Sequence, residues 1–129
     1  MLKVLEANPG KYDLSSVQTI TSSGVMWSME VKRGLIKHIP QVALMDSFGA
    51  SEAVGFGMSV TTADGVQQTA KFQIGDTCKV FTEDRREVKP GSGEAGLIAR
   101  GGAVPLGYYK DPEKSAKTFW EVDGVRYAV

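Results

Sequence analysis

The stretch VALMDSFGASE, residues 42–52, decides how the rest of the chain is interpreted. Its first four residues, 42–45, form an unbroken apolar run, which is typical of a strand buried on both faces of a parallel sheet. Polar, aromatic and glycine residues follow at once, which predicts a loop directly after this strand. In open α/β sheets, ligands bind at this carboxyl end of the strands.

The residues before this stretch predict a strand and a helix. VQTIT, residues 17–21, is short and rich in β-branched residues. Ser28 is a suitable N-cap residue, and Pro40 ends the helix. Apolar residues recur at helical spacing between them: Val31, Leu35, Ile36 and Ile39. Basic residues are expected on the solvent side: Lys32, Arg33 and Lys37. The result is a right-handed β-α-β unit whose two post-strand loops share one rim.

Beyond Gly55 the pattern changes to short strand-like runs separated by turn signals. Asp64-Gly65 and Asp123-Gly124 are typical of hairpin turns. One short helix is expected after the N-cap residue Asp111, with Pro112 at its first position.

The fold class that follows is α/β plus β. We expect a partial parallel β-α-β unit and then a small antiparallel, barrel-like subdomain. The predicted boundary separates residues 1–62, which carry the candidate site loops, from the β-rich residues 63–129. Because two parallel strands cannot bury both sheet faces, we expect a fragment that is truncated at both ends.

The composition excludes several classes of protein. The chain has 15 Lys and Arg against 15 Asp and Glu, so it lacks the excess positive charge that nucleic acids and anionic membranes require. No apolar run approaches the roughly 20 residues of a transmembrane helix. One cysteine, Cys78, excludes an internal disulfide and fits a reducing cytoplasm. With His38 far away in sequence, it also argues against a zinc site.

The residues from Phe48 to Glu52 form the first candidate site. The aromatic ring can stack on a base, and Gly49 lets the backbone approach a ligand closely. Ser51 offers a hydroxyl to a phosphate oxygen, and Glu52 offers Mg²⁺ a hard oxygen ligand. The same residues also fit a plain strand-to-helix turn with a core phenylalanine and a solvated glutamate, and the short spacing leaves both interpretations open.

Ser22-Ser23-Gly24 and the apolar residues 25–27 form the second candidate site, on the same predicted rim. The apolar residues suit the wall of a pocket for an apolar substrate. The alternative is a polar turn with Met26 and Trp27 in the core. A third stretch, residues 107–113, is best explained structurally, as an aromatic pair at a sheet edge before a capped helix.

In this order the motifs resemble the adenylate-forming superfamily, specifically its AMP-forming acyl-CoA synthetases, or fatty-acid–CoA ligases. The resemblance runs from about Tyr12 to Val129. Residues 48–52 resemble the family's Tyr-Gly-x-Thr-Glu, and residues 22–25 resemble its Ser-Gly-Gly-Ala loop. Later family positions follow in order: Gly93–Gly96, Gly101, Gly107–Tyr109, Asp111–Glu113, Thr118–Phe119 and Asp123–Gly124.

The resemblance implies a nucleotide-binding role for one set of residues. Phe48 would lie against the adenine ring, while Gly24 and Val25 would border the adenine and the acyl group. Asp46 and Ser47 would lie near the adenine edge. Neighbouring motif positions complete the implied set: Ser23, Gly49 and Ala50.

The resemblance also implies a reaction. Ser51 would hold the α-phosphate of ATP and Glu52 would bind Mg²⁺, which makes these two the candidate catalytic residues. A carboxylate would attack the α-phosphorus, giving acyl-adenylate and pyrophosphate, and CoA would then accept the acyl group. The implied cofactors are ATP/AMP, Mg²⁺ and coenzyme A. Because residues 23–27 depart from the family's usual loop, we expect a long-chain or ring-bearing carboxylic acid as the small-molecule partner.

Several elements of the family fall outside this sequence: the Lys-bearing phosphate loop, the ribose-binding Asp and the small C-terminal domain. The resemblance therefore implies an internal fragment of the large N-terminal domain. We expect it to be cytoplasmic, inactive alone and prone to self-association through open strand edges. Two alternatives stay open, a non-catalytic nucleotide-binding module and a structural or interaction module.

Overall fold

The computed structural model describes residues 1–65 and 71–129, which form a mixed α/β structure with two sheets. The helices in these residues are α1 (Leu2–Ala7), α2 (Met29–His38) and α3 (Pro112–Thr118). The first sheet has the spatial order β1 (Thr19–Ser23), β2 (Ala43–Ala50), β3 (Ala53–Thr61) and β4 (Gln73–Ile74). The second consists of β5 (Cys78–Phe81), β6 (Leu97–Gly101), β7 (Phe119–Val122) and β8 (Val125–Ala128), in the spatial order β5-β6-β8-β7.

Strands β1 and β2 are parallel neighbours, and α2 lies between them in the chain. Their register places Ser23 opposite Ser47. The first strand begins at Thr19, two residues later than the sequence predicted. The reason is a turn just before it, in which the N–H of Val17 donates to the carbonyl of Leu14 at 3.0 Å.

Strand β2 is longer than the apolar run predicted. It continues to Ala50, turns at residues 51 and 52, and returns as β3. A two-residue connection between hydrogen-bonded strands requires an antiparallel hairpin. The expected loop over residues 46–52, and its alternative as a strand-to-helix turn, were therefore wrong. Gly49 permits the hairpin, since a Cβ there would lie 2.9 Å from the backbone nitrogen of Gly55.

Helix α2 begins and ends where the sequence predicted. The Ser28 hydroxyl accepts a hydrogen bond from the N–H of Val31 at 3.3 Å, and the helix ends at His38 before Pro40. The placement of Lys32 on the solvent side was wrong, since only 1% of this residue is exposed. The core of this region contains Leu5, Leu35, Ile39, Val42 and Leu44.

Helix α1 was not expected from the sequence. It contributes Leu5 to the same core as α2. Gly34 gives it room, because a Cβ at this position would lie 2.6 Å from a methyl carbon of Leu2. The absence of a side chain at Gly34 thus lets Leu2 of α1 pack closely against α2.

The second sheet is antiparallel along each of its strand pairs. Its core contains Phe81, Ala99, Trp120 and Tyr127, and the rings of Phe81 and Tyr127 meet edge to face at 5.0 Å between centroids. In the described part of the chain this sheet is open, with β5 and β7 at its edges, where we had expected a barrel-like arrangement.

One hairpin signal and one helix cap were confirmed in this region. Asp123 and Gly124 join β7 to β8 with φ angles of 51° and 74°, as a type I′ hairpin turn requires. The Asp111 carboxylate accepts a hydrogen bond from the N–H of Lys114 at 2.9 Å, and Pro112 is the first residue of α3. Residues 63 and 64 form a turn, in which the N–H of Gly65 donates to the carbonyl of Thr62 at 3.3 Å, and the strand-like run expected at residues 76–83 contains β5.

The chain divides into two compact units. The first unit contains Met1–Phe48 and Gly57–Gln73, and the second contains Gly49–Phe56 and Ile74–Val129. The predicted boundary between residues 62 and 63 stays a prediction. None of the helices in the described residues is long and apolar enough to span a membrane.

Candidate functional site

The parallel pairing of β1 and β2 puts two candidate segments side by side in the first unit. Ser22 is paired with Asp46 and Ser23 with Ser47, at the carboxyl end of β1 and in the middle of β2. The hydroxyl of Ser47 donates to the carbonyl oxygen of Ser22 at 3.5 Å. The structure thus brings together polar residues that lie about twenty-four positions apart in the sequence.

The loop after β1 has a conformation that its glycine permits. Gly24 has a φ of 82°, in the left-handed region, and open space around its Cα. The hydroxyl of Ser22 donates to the carbonyl of Val25 at 2.9 Å and closes the turn. Val25 is 78% exposed and Met26 is 44% exposed, whereas Trp27 packs on the core. The alternative interpretation is therefore right for Trp27 and does not hold for Met26.

Asp46 has a buried carboxylate that faces the protein. It forms an ion pair with Lys32, and both residues are almost fully buried. Its other oxygen accepts a hydrogen bond from the N–H of Trp27 at 3.3 Å. Lys32 also donates to the hydroxyl of Thr61 at 3.4 Å. Since its carboxylate is used inside the unit, Asp46 ties the loop after β1 to the middle of β2.

Lys32 is a residue that the sequence argument missed. It lies three residues before the buried Leu35 and seven before the buried Ile39, on the apolar face of α2. That spacing was a signal for burial. The prediction placed Lys32 in solvent despite this spacing, because a lysine is buried only when it has a partner.

Phe48 is half-buried near the end of β2 in the first unit. Its ring meets the ring of Phe72 edge to face, with 4.9 Å between the centroids. Phe72 was not among the predicted site residues. No local sequence pattern indicates that two aromatic residues so far apart in the chain are in contact.

Ser51 and Glu52 form the turn between β2 and β3, in the second unit together with Gly49 and Ala50. Ser51 is exposed and Glu52 is half-buried. The hydroxyl of Tyr108 donates a hydrogen bond of 2.5 Å to Oε1 of Glu52. This bond holds the pKa of the Glu52 carboxyl below its usual range and raises the pKa of Tyr108.

The Glu52 carboxylate and the Ser51 hydroxyl have the chemistry of a magnesium–phosphate site. Among residues 1–65 and 71–129, no three His, Cys, Asp or Glu side chains are grouped so that they could hold a metal ion. Mg²⁺ in nucleotide sites is held by one or two carboxylates together with the phosphates of the substrate. An ionised glutamate beside an exposed serine in a turn fits that mode of binding.

Comparisons with known proteins give the family. No protein-family model matches the chain. The chain is 41% identical to the medium/long-chain-fatty-acid–CoA/3-oxocholest-4-en-26-oate–CoA ligase of Mycolicibacterium smegmatis, over 92% of its own length. It is 37% identical to the 3-oxocholest-4-en-26-oate–CoA ligase of Rhodococcus rhodochrous, over its whole length. The chain spans 22% and 24% of these two relatives, respectively.

Solved structures show the same fold. A long-chain-fatty-acid–CoA ligase from Archaeoglobus fulgidus matches 98% of the chain with a TM-score of 0.69 and 22% identity, and the match covers 27% of that structure. The Vibrio cholerae adenylation domain AlmE, in complex with glycyl-adenosine-5'-phosphate, matches 98% with a TM-score of 0.67 and 12% identity, covering 26% of that structure. The sequence likeness to curated CoA ligases and the shared fold agree, and the chain belongs to the AMP-forming acyl-CoA ligase family.

Proposed function

We propose that the chain is a segment of a larger ligase that uses ATP to convert a carboxylic acid into an acyl-adenylate and then transfers the acyl group to CoA. The observation that carries this proposal is the 41% identity to a curated CoA ligase over 92% of the chain. Phe48 to Glu52 resembles the family's Tyr-Gly-x-Thr-Glu motif, which supports the proposal. We assign ATP, Mg²⁺ and CoA to the larger protein.

We assign the adenine to residues of the loop after β1 and of β2 in the first unit. Phe48 supplies an aromatic face, and the open left-handed turn at Gly24 leaves the backbone accessible. Ser23 and Ser47 lie opposite each other where β1 ends. Asp46 contributes by holding the loops in place, because its carboxylate is paired with Lys32.

We assign the phosphate to the turn at Ser51 and Glu52. The hydroxyl of Ser51 donates to an α-phosphate oxygen, and the carboxylate of Glu52 is a ligand for Mg²⁺. Gly49 and Ala50 lead the backbone into this turn. When bound, Mg²⁺ neutralises phosphate charge. What this chain contributes is an ionised carboxylate in a fixed place, which the lowered pKa of Glu52 supports.

The substrate we propose is a carboxylic acid with a long alkyl chain or a ring system. Val25 and Met26 expose apolar side chains directly after Gly24. The M. smegmatis relative is named for medium- and long-chain fatty acids and for the steroid acid 3-oxocholest-4-en-26-oate. The R. rhodochrous relative is named for this steroid acid alone. Both kinds of acid present a large apolar surface next to the carboxylate.

The test is pyrophosphate release by the full-length protein, measured with ATP, Mg²⁺ and either a fatty acid or a steroid acid. We expect release that depends on both ATP and the acid, and a thioester when CoA is added. Glu52→Gln is expected to lower the rate about 100-fold or more, because it removes a carboxylate from the reacting phosphate. Glu113→Gln is the matched control, since Glu113 pairs only with the exposed Lys117 among the contacts described for it.

Three outcomes would count against parts of the proposal. Nucleotide binding without acid-dependent pyrophosphate release would favour the non-catalytic nucleotide-binding module. An equal rate for Glu52→Gln and Glu113→Gln would remove the role of Glu52. The 129-residue chain alone is expected to release no pyrophosphate above background, and release by it would overturn the proposal that the activity needs the larger protein.

A further inference from the structure

We propose that Tyr108 is a positioning residue for Glu52, a role that rests on the proposed function of Glu52 as a ligand for Mg²⁺. The two residues lie 56 positions apart and meet in the second unit. The hydroxyl of Tyr108 donates to Oε1 of Glu52 at 2.5 Å. A carboxylate has about four acceptor sites, so one hydrogen bond leaves capacity for a metal ion.

Tyr108 is itself held from the beginning of α3. Its backbone N–H donates to the hydroxyl of Ser115 at 2.8 Å, and that hydroxyl donates to the carbonyl of Asp111 at 2.6 Å. Ser115 approaches the chain closely here, since a Cβ on Gly107 would lie 2.8 Å from its hydroxyl oxygen. The backbone of Tyr108 is therefore fixed on the capped end of the helix.

The ring of Tyr108 is fixed as well. The ammonium group of Lys114 lies 4.1 Å from the ring centroid, within the range of a cation–π interaction. The ring of Phe119 packs beside it at 5.7 Å between centroids. With backbone and ring held, the phenolic hydroxyl has a defined position.

A defined hydroxyl limits how the Glu52 carboxylate can point. It selects one orientation of a carboxylate that sits in a two-residue turn and would otherwise sample several rotamers. Groups that hydrogen-bond a metal ligand in this way typically change metal affinity or activity by about 10-fold to 100-fold when they are removed.

The experiment measures metal binding directly in the full-length protein. Mn²⁺ replaces Mg²⁺ as a paramagnetic probe and is titrated into the complex with α,β-methylene-ATP, with the bound ion followed by electron paramagnetic resonance. Tyr108→Phe removes only the hydroxyl, and we expect Mn²⁺ affinity to fall about 10-fold or more. The resonance spectrum of the Mn²⁺ that stays bound is also expected to change, because the Glu52 carboxylate is no longer held in one orientation.

Two further variants complete the experiment. Tyr109→Phe is the matched control, because Tyr109 is 87% exposed, and it is expected to bind Mn²⁺ like the wild type. Ser115→Ala keeps the hydroxyl of Tyr108 but removes the support of its backbone, so we expect a smaller loss in the same direction. Ser115→Ala carries the test if Tyr108→Phe does not fold.

The outcomes separate this inference from the function on which it rests. If Glu52→Gln loses Mn²⁺ while Tyr108→Phe keeps the affinity and the resonance spectrum of the wild type, the positioning role is overturned and the proposed function stands. If Glu52→Gln binds Mn²⁺ as tightly as the wild type, Glu52 is not a ligand, and the assignment of Mg²⁺ fails together with the inference.

Discussion

Lys32 and Asp46 bury two opposite charges inside the first unit. Lys32 and Asp46 are 1% and 2% exposed, so their ion pair has little contact with water. Such a pair adds little net stability relative to apolar residues, but the loss of one partner leaves an unpaired buried charge. The pair also reaches the N–H of Trp27 and the hydroxyl of Thr61, which connects four segments of the chain.

Lys32→Met is therefore expected to lower the free energy of unfolding of this chain by about 3–5 kcal/mol. The measurement is urea denaturation followed by circular dichroism. Lys37→Met is the matched control on the exposed side of α2, and it is expected to cost no more than about 1 kcal/mol, the usual size of a helix-dipole contribution.

A second substitution tests the cause of this loss. Asp46→Asn, added to Lys32→Met, removes the unpaired charge and keeps an oxygen for the N–H of Trp27, so it is expected to recover part of the stability. If Lys32→Met is as stable as Lys37→Met, the buried pair does not have the energetic importance that its geometry indicates.

At the residue scale, the sequence predicted the residues at helix ends better than it predicted contacts between distant residues. It placed Ser28, Asp111 and Pro112 correctly, because a cap depends on the next few residues only. It missed the pairing of Lys32 with Asp46 and the hydrogen bond of Tyr108 to Glu52. Both contacts join distant parts of the chain, and no local pattern encodes them.

Among the elements, the hairpin of β7 and β8 shows how a short sequence signal fixes a turn. Asp123 and Gly124 both have positive φ, and glycine adopts this conformation without steric cost. No atom lies within 4 Å of a Cβ built on Gly124, so an added methyl group would meet no neighbour. Any cost of Gly124→Ala therefore comes from the backbone.

We expect Gly124→Ala to lower the free energy of unfolding by about 1–2 kcal/mol, the cost of a left-handed conformation for an L-residue. Gly75→Ala is the control, because a Cβ there also meets no neighbour and its φ lies outside the left-handed region. This control is expected to be neutral or slightly stabilising. Equal stabilities of the two variants, by urea denaturation, would contradict the backbone argument.

Strand β2 shows where the prediction of elements failed. The apolar run predicted a strand that ends after residue 45, but hydrogen bonding continues to Ala50. Residues 46–50 include an aspartate, a serine and a glycine, which are poor strand formers. Pairing with β1 and β3 nevertheless stabilises these residues in the strand. Local propensity cannot predict such pairing, because it involves residues distant in sequence.

For the whole molecule, exposed apolar side chains and open sheet edges predict self-association of this chain when it is expressed alone. Leu106 is 93% exposed and Tyr109 is 87% exposed in the second unit, and β5 and β7 form the edges of its sheet. Apolar patches and unpaired edges of this kind favour contacts between chains.

Sedimentation velocity measures this association. We expect the weight-average mass to rise with protein concentration, and to rise less for the double variant Leu106→Ser/Tyr109→Ser. A mass that stays at the monomer value over the concentration range would contradict self-association through these surfaces.

The family could be predicted from the ordered motifs because each of them is local in sequence. The α/β character and the antiparallel second sheet followed from hydrophobic periodicity and turn signals. The open form of that sheet and the packing of α1 did not follow, since strand order and helix docking depend on contacts between distant residues.

The most direct measurement is a crystal structure of the full-length protein with a non-hydrolysable acyl-sulfamoyl-adenosine, which mimics the acyl-adenylate. We predict that the ring of Phe48 lies against the adenine and that the hydroxyl of Ser51 lies within hydrogen-bond distance of the sulfamoyl group. An analogue bound elsewhere, with neither residue in contact with it, would contradict the assignment of this segment to the adenylate site.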